Sequence, residues 1–153
     1  MPVDKMKQFL DDEGVKYVAI QHSPAYTSQE VAASAHIPGR ELAKTVMVRI
    51  DDRMAMAVLP ASRQVDTDML KDVAGADTVS IAGEDEFKDL FPDCEIGAMP
   101  PFGNLYDMKV YVDDALTQDE EIAFNAGSHS ELVRMAYKDY ERLVQPKVSR
   151  FSK

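Results

Sequence analysis

AKTVMVRI at residues 43–50, DDR at 51–53 and MAMAVLP at 54–60 form the stretch of sequence that decides the fold. Two short runs rich in apolar and β-branched residues, separated by a charged turn, predict an antiparallel β-hairpin. The methionines of the second run recur with a period of two, which indicates a strand face turned toward the core. The chain is therefore predicted to be built on a sheet whose hairpin carries Lys44 near its start.

On both sides of this hairpin, helical and strand patterns alternate along the chain. The predicted helices cover 3–12, 27–35, 66–74, 84–91 and 137–144, and the further strands cover 16–21, 78–82, 108–112, 122–125 and 132–135. Asp66 is expected to cap its helix, and the three prolines and two glycines within 92–104 predict an irregular loop. Interleaved helices and adjacent hairpins predict a single α/β domain with a mixed β-sheet.

Length and composition fit one globular domain. The 153 residues are enough for one hydrophobic core, and 45% of them are hydrophobic and 29% charged. We expect the domain to span 3–148 and the basic residues 149–153 to form a mobile tail. No apolar run is long enough to cross a bilayer, the N-terminus lacks a signal-peptide pattern, and the single cysteine, Cys94, excludes an internal disulfide. These features predict a cytoplasmic protein without membrane contact, and a monomer is the default expectation.

The net charge of −10 limits the kinds of partner. A protein that holds a long nucleic acid by neutralising its phosphates is normally basic, whereas this chain should repel a polyanion at long range. A nucleic-acid substrate is therefore compatible with the sequence only if the contact is short, such as a single-stranded end, or if a partner supplies basic surface.

Several common catalytic motifs are absent from the sequence. It contains no Gly-rich phosphate loop and no Gly-x-Ser-x-Gly nucleophile elbow. The three histidines, His22, His36 and His129, are far apart in the sequence and lack the spacing of metal ligands. We therefore expect neither a metal nor another cofactor.

Four segments stand out together, namely GRELAKTV (39–46), LPASRQVD (59–66), GAMPPFG (97–103) and FNAGSH (124–129). The lysine after the turn, the Gly-x-x-x-Pro loop and the Asn-Ala-Gly-Ser-His segment, in this order, resemble the YbaK family. These proteins are the free-standing relatives of the editing domain inserted in bacterial prolyl-tRNA synthetases. The resemblance covers nearly the whole chain, from residue 3 to residue 148.

This resemblance implies an aminoacyl-tRNA deacylase. Members of the family hydrolyse the ester between a wrongly attached amino acid and the terminal adenosine of a tRNA, typically alanine or cysteine on proline tRNA. Their fold is a strongly curved, barrel-like mixed sheet flanked by helices. The family lysine falls on Lys44, and the glycine-proline loop falls on Gly97 to Pro101. In the alanine-specific branch an asparagine follows the lysine, where this chain has Thr45. We expect Asn125 and His129 to share the role of specificity residue.

The chemistry of ester hydrolysis makes Lys44 and Gly97 the catalytic candidates. An aminoacyl ester is already activated, so water can attack it directly if negative charge on the carbonyl oxygen is stabilised. Backbone amides of the loop at Gly97 could do this, because glycine lets the main chain approach a ligand closely. Lys44 could hold the carbonyl or a terminal phosphate as a compact positive charge. The predicted substrate-binding residues are His22, Tyr26, Thr45, Ser62, Arg63, Ala98, Met99, Pro101, Asn125, Gly127, Ser128 and His129.

The sequence leaves two other functions open. The first is a non-catalytic module of the same fold that binds an aminoacyl group or an aminoacyl-tRNA synthetase, and the acidic net charge favours it. The second is a hydrolase of small free aminoacyl esters. The expected partners are accordingly a mischarged tRNA, bound through its aminoacylated 3′ end, and a synthetase.

Overall fold

The computed structural model describes residues 4–21, 37–92 and 94–153, and one mixed β-sheet runs through them. The strands are β1 (Tyr17–Gln21), β2 (Leu42–Ile50), β3 (Arg53–Pro60), β4 (Val79–Ile81), β5 (Lys109–Asp113), β6 (Glu121–Asn125), β7 (Glu131–Ala136) and β8 (Lys147–Ser149). The helices are α1 (Asp4–Asp12), α2 (Thr67–Ala74), α3 (Glu84–Phe87) and α4 (Tyr137–Val144). Across these ranges, no helix has the length and apolar character needed to cross a membrane.

The sheet has the strand order β1-β7-β6-β2-β3-β5-β8, and β4 pairs with β2 beside this path. The predicted hairpin is confirmed, because β2 and β3 pair antiparallel with Met47 opposite Met56. The β1–β7, β6–β7 and β2–β4 pairs are also antiparallel, whereas β2–β6, β3–β5 and β5–β8 are parallel. The prediction of one α/β domain with a mixed sheet is therefore confirmed, and the path through the described strands stays open between β1 and β8.

Local signals at the ends of the helices also agree with the structure. The Asp66 side chain accepts hydrogen bonds from the backbone N–H groups of Asp68 and Met69 at 3.1 Å, which caps α2 as predicted. The helix predicted over 84–91 is shorter, because α3 ends at Phe87 and continues as a 3-10 helix from Lys88 to Leu90. The helix predicted over 27–35 lies outside the described residues.

The sheet separates apolar side chains into clusters on its two faces. In β2, Ala43 and Met47 belong to the largest cluster, which α1, α4 and the inner faces of β3, β5, β6 and β7 also form. Leu42 belongs to a second, smaller cluster with Ala123 and Leu132. Since successive side chains of a strand point to opposite faces, Lys44 shares the face of Leu42 and not that of the main core.

The C-terminal residues correct one prediction. Residues 149–153 were expected to form a mobile tail, but Phe151 is fully buried and Ser152 nearly so. The buried carboxylate of Asp113 accepts hydrogen bonds from the backbone N–H groups of both, at 3.0 and 3.1 Å. Gln64 and Lys153 exchange two backbone hydrogen bonds of 2.8 Å. The expectation was wrong because it considered the basic residues and overlooked the aromatic anchor between them.

Candidate functional site

Lys44 lies near the start of β2, opposite Leu59 of β3. Its side chain is half-buried, and this burial lowers the pKa of its ammonium group from the ordinary value of 10.5. No hydrogen bond or ion pair joins the ammonium to any residue within 4–21, 37–92 or 94–153. A partly desolvated cation that has no partner in the described part of the chain is a position at which an anionic or polar ligand gains much.

Asn125 is the neighbour of Lys44 on the adjacent strand. β2 and β6 run parallel, and their pairing ends with Ala43 opposite Phe124, so Lys44 and Asn125 are the next residues along the two strands. Both side chains point to the face of Leu132, which is opposite Asn125 on β7. The Asn125 Oδ1 atom is fully buried and accepts no hydrogen bond from the part of the chain that the structure describes.

The orphaned oxygen of Asn125 has an energetic consequence. A buried acceptor without a donor costs about 1–3 kcal/mol, and a ligand that brings an N–H or O–H group to it recovers that cost. Lys44 and Asn125 together therefore present one cation and one free acceptor on the same face of the sheet. This pair can hold a ligand that carries both an electronegative oxygen and a hydrogen-bond donor.

Immediately after Asn125, hydrogen bonds connect the turn that follows β6 to the glycine-proline loop around Gly97. The Glu95 N–H donates to the carbonyl of Gly127 at 2.8 Å, and the Gly127 N–H donates to the carbonyl of Ala98 at 2.9 Å. The His129 N–H donates to the Glu95 carboxylate at 2.8 Å, and the His129 ring nitrogen Nε2 lies 2.8 Å from the carbonyl of Ile96. We call these contacts the loop clasp. The clasp ties the glycine-proline loop to the turn that follows β6.

Gly97 is at the centre of this clasp. Its φ of +87° is a conformation that glycine adopts without strain, and a Cβ there would lie 3.5 Å from Cε1 of His129. The Gly97 N–H donates to the sulfur of Met99 at 3.3 Å, whereas the Ala98 N–H is engaged by the carbonyl of Glu95 at 3.1 Å. Because a thioether is a weak acceptor, the Gly97 amide can turn to a better one.

The base of the same loop is fixed by aromatic packing. Pro101 is buried, and its carbonyl accepts a hydrogen bond of 2.7 Å from the Tyr140 hydroxyl on α4. Tyr140 packs against Phe102 and Phe124, with ring centroids 5.4 and 6.4 Å away. Burial raises the pKa of Tyr140 well above its ordinary value, so the hydroxyl remains a donor. The loop is thus anchored at Pro101 and clasped at Gly97.

The remaining predicted site residues are not all brought to this corner. Thr45 points to the face opposite Lys44, where its partner Val58 belongs to the main core. Ser62 is exposed in the turn after β3, and the Arg63 guanidinium donates to the carbonyl of Ser152 at 3.1 Å. Arg63 is therefore engaged in holding the C-terminus.

Other predicted residues lie within the clasp or outside the described structure. Ser128 is half-buried in the turn after β6, and its hydroxyl accepts a long hydrogen bond of 3.5 Å from the Ser130 N–H. His22 and Tyr26 lie outside the described residues. Sequence reasoning missed Glu95, which had no signal beyond being an acidic residue two positions before the loop glycine. In the described ranges, no group of histidines, cysteines and carboxylates is arranged to hold a metal ion.

Comparisons of sequence with known proteins agree on one family. A family model described as the aminoacyl-tRNA editing domain matches residues 22–143. The multifunctional Ser/Thr-tRNA deacylase ProXp-y of Escherichia coli K12 is 28% identical over 147 residues, which cover 93% of this chain and 87% of that protein. A proline–tRNA ligase of Bacillus cereus (strain AH187) is 27% identical over 88 residues, which cover 58% of this chain and 15% of the ligase.

Comparisons with solved structures concern the fold. The crystal structure of the hypothetical protein APE2540 matches with a TM-score of 0.88 at 20% identity, covering 98% of this chain and 100% of that one. A crystal structure described as a proposed trans-editing enzyme for prolyl tRNA synthetase matches with a TM-score of 0.83 at 19% identity, covering 99% of this chain and 97% of that one. At these identities the likeness establishes the shared fold alone.

Proposed function

Because the chain belongs to the family of aminoacyl-tRNA editing domains, we propose that it hydrolyses the ester bond between a wrongly attached amino acid and the 3′ end of a tRNA. It acts as a trans-editing enzyme, that is, on tRNA already released from its synthetase, in the cytoplasm where tRNA is charged. The E. coli relative, a tRNA deacylase that this chain matches over 93% of its length, supports the proposal.

The observation that carries the proposal is the half-buried ammonium of Lys44, which has no partner within the described residues. Water attacks the ester carbonyl, and negative charge develops on the carbonyl oxygen. Lys44 stabilises this charge, and the Gly97 amide supplies a hydrogen bond to the same oxygen in place of its bond to the Met99 sulfur. The carbon–oxygen bond to the ribose then breaks, which releases the free amino acid and a tRNA with its terminal hydroxyl restored.

The acyl group that fits this corner is small. Leu42, Ala123 and Leu132 give the face around Lys44 an apolar lining, and such a lining selects mainly by excluding bulk. The candidate acyl groups are serine and threonine, which the name of the E. coli relative contains, and alanine and cysteine, which the family resemblance implies. The free acceptor of Asn125 favours the first pair, because their hydroxyl groups can donate to it.

The test is deacylation of a panel of charged tRNAs that carry serine, threonine, alanine or cysteine. We expect hydrolysis of at least one above the rate in buffer, and we expect Lys44→Met to slow it by about a hundredfold or more. Lys138→Met is the matched control, because Lys138 is exposed on α4. If no charged tRNA is hydrolysed, or if both variants behave alike, the proposed function is wrong.

A second candidate is a non-catalytic module that binds a charged tRNA or a synthetase. The net charge of −10 favours it, because unaided capture of a polyanion is disfavoured, and the likeness to part of a proline–tRNA ligase makes that class of enzyme the synthetase to try first. Binding to either partner without turnover of any charged tRNA would favour this alternative.

A further inference from the structure

The half-buried cations of the chain divide into two groups. Five lysines and arginines are neither fully exposed nor fully buried, namely Lys7, Lys44, Arg49, Arg63 and Arg134. Lys7 contacts the Glu131 carboxylate at 2.5 Å, and Arg49 contacts the Glu86 carboxylate at 2.8 Å. Arg63 donates to the Ser152 carbonyl at 3.1 Å. Within the described structure, the other two have no hydrogen bond and no ion pair.

Arg134 and Lys44 lie on the same face of the sheet. In β7, Val133 and Met135 belong to the main core, so the side chain of Arg134 between them points to the opposite face. Its partners there are Val18 of β1 and Ala123 of β6, neither of which carries a charge. Val18 is 56% exposed, so this part of the face is open to a ligand.

The register gives the spacing between the two cations. Arg134 lies in the row that continues through Ala123 of β6 to Leu42 of β2, and Lys44 is two residues further along β2. Two strand spacings across and two residues along place the Cα atoms about 12 Å apart on a flat sheet. Both side chains are long enough for one nucleotide to bridge their charged ends, with its 3′ ester at one and its 5′ phosphate at the other.

We propose that Arg134 is a binding residue for a backbone phosphodiester of the tRNA acceptor end, beside the ester held at Lys44. The planar guanidinium matches the geometry of a phosphate and can bind it through two hydrogen bonds. The inference rests on the proposed function and adds to it the means by which an acidic protein holds RNA. Two local cations that form no ion pair within the described residues contact a short single strand, whereas the net charge of −10 repels a polyanion at long range.

The test measures binding and turnover separately. An acceptor-stem minihelix that carries serine through a non-hydrolysable 3′ amide is titrated at several KCl concentrations against the wild-type chain, Arg134→Gln, Arg134→Lys and Arg142→Gln. Arg142→Gln is the matched control, since it removes the same charge from an exposed position on α4. We expect Arg134→Gln to weaken binding about tenfold at low salt and to reduce the slope of log K against log[salt] by about 0.7. Arg134→Lys should retain most of the slope.

Hydrolysis of a seryl ester of adenosine, which has no phosphate, completes the test. We expect Arg134→Gln to lose much less rate on this ester than on the charged minihelix, because the phosphate subsite stays empty with this substrate. An unchanged salt slope, an equal effect of Arg142→Gln, or an equal loss on the phosphate-free ester would each overturn the inference. A wild-type chain that binds the minihelix through Arg134 and hydrolyses no ester would instead overturn the proposed function and leave the phosphate subsite standing.

Discussion

Two polar side chains on this sheet, each with a buried oxygen atom, have opposite environments. At the end of β5, Asp113 is 1% exposed, and its carboxylate accepts N–H groups from Ala115, Phe151 and Ser152. At the end of β6, Asn125 is half-buried as a residue, but its Oδ1 atom is buried and accepts nothing from the described residues. A buried polar group that the chain itself satisfies contributes to stability, whereas one that it leaves unsatisfied costs stability and is available to a ligand.

The same contrast separates the cations at these two places. The Arg63 guanidinium donates to the carbonyl of Ser152 and so helps Asp113 hold the C-terminal residues. Lys44 and Arg134 lie near Asn125 and have no such partner among the residues that the structure covers. The backbone of the C-terminal residues is therefore held by the chain itself, whereas we propose that a substrate supplies the partners of the polar groups around Lys44. Substitutions in the C-terminal region should therefore change stability, and substitutions around Lys44 should change activity.

The largest expected effect is on stability, at Asp113. Asp113→Ala leaves buried backbone N–H groups without an acceptor, and we expect the free energy of unfolding to fall by about 4 kcal/mol. Asp113→Asn keeps one acceptor oxygen and should cost about half as much. Urea titration measures both values. The folded fraction of Asp113→Asn should deacylate at the wild-type rate, and a specific loss of activity would show that the two regions are not separate.

A smaller effect, on turnover, is expected at the loop clasp. Glu95→Ala removes the acceptor of the His129 N–H and frees the turn that faces Gly97, so we expect kcat to fall about tenfold, or about 1.4 kcal/mol in the barrier, with KM little changed. Glu95→Gln keeps an acceptor oxygen and should restore most of the rate. Glu84→Ala, an exposed carboxylate at the start of α3, is the control. A loss confined to KM, or no rescue by glutamine, would contradict a positioning role.

What the sequence could predict follows from the range of the interactions. The hairpin over 43–60 and the cap at Asp66 rest on neighbours within a few residues, and both were predicted. The pairing of Ala43 with Phe124, which brings Lys44 beside Asn125, joins residues about eighty positions apart and leaves no local signal. The docking of Phe151 on Asp113 and the bond from His129 to Glu95 join residues 38 and 34 positions apart, which is also beyond the reach of local signals. The family resemblance identified Lys44 and Gly97 as candidates, but their surroundings depend on this register.

The smallest expected effect is at Asn125, where the comparison with Asp113 becomes sharpest. Asn125→Leu replaces an orphaned acceptor by an apolar side chain of similar size, so we expect stability to stay level or rise by about 1 kcal/mol, opposite in sign to the change at Asp113. Hydrolysis of a seryl ester should fall more than that of an alanyl ester on the same tRNA, because only serine has a side-chain hydroxyl to lose its acceptor. Thermal unfolding and the ratio of the two kcat/KM values measure these changes, and Asn104→Leu, at an exposed asparagine, is the control. A stability loss above about 1 kcal/mol would mean that Oδ1 already has a donor inside the protein. An equal loss of kcat/KM for both esters would mean that Oδ1 accepts from the α-ammonium or the ribose of the substrate and not from its side chain.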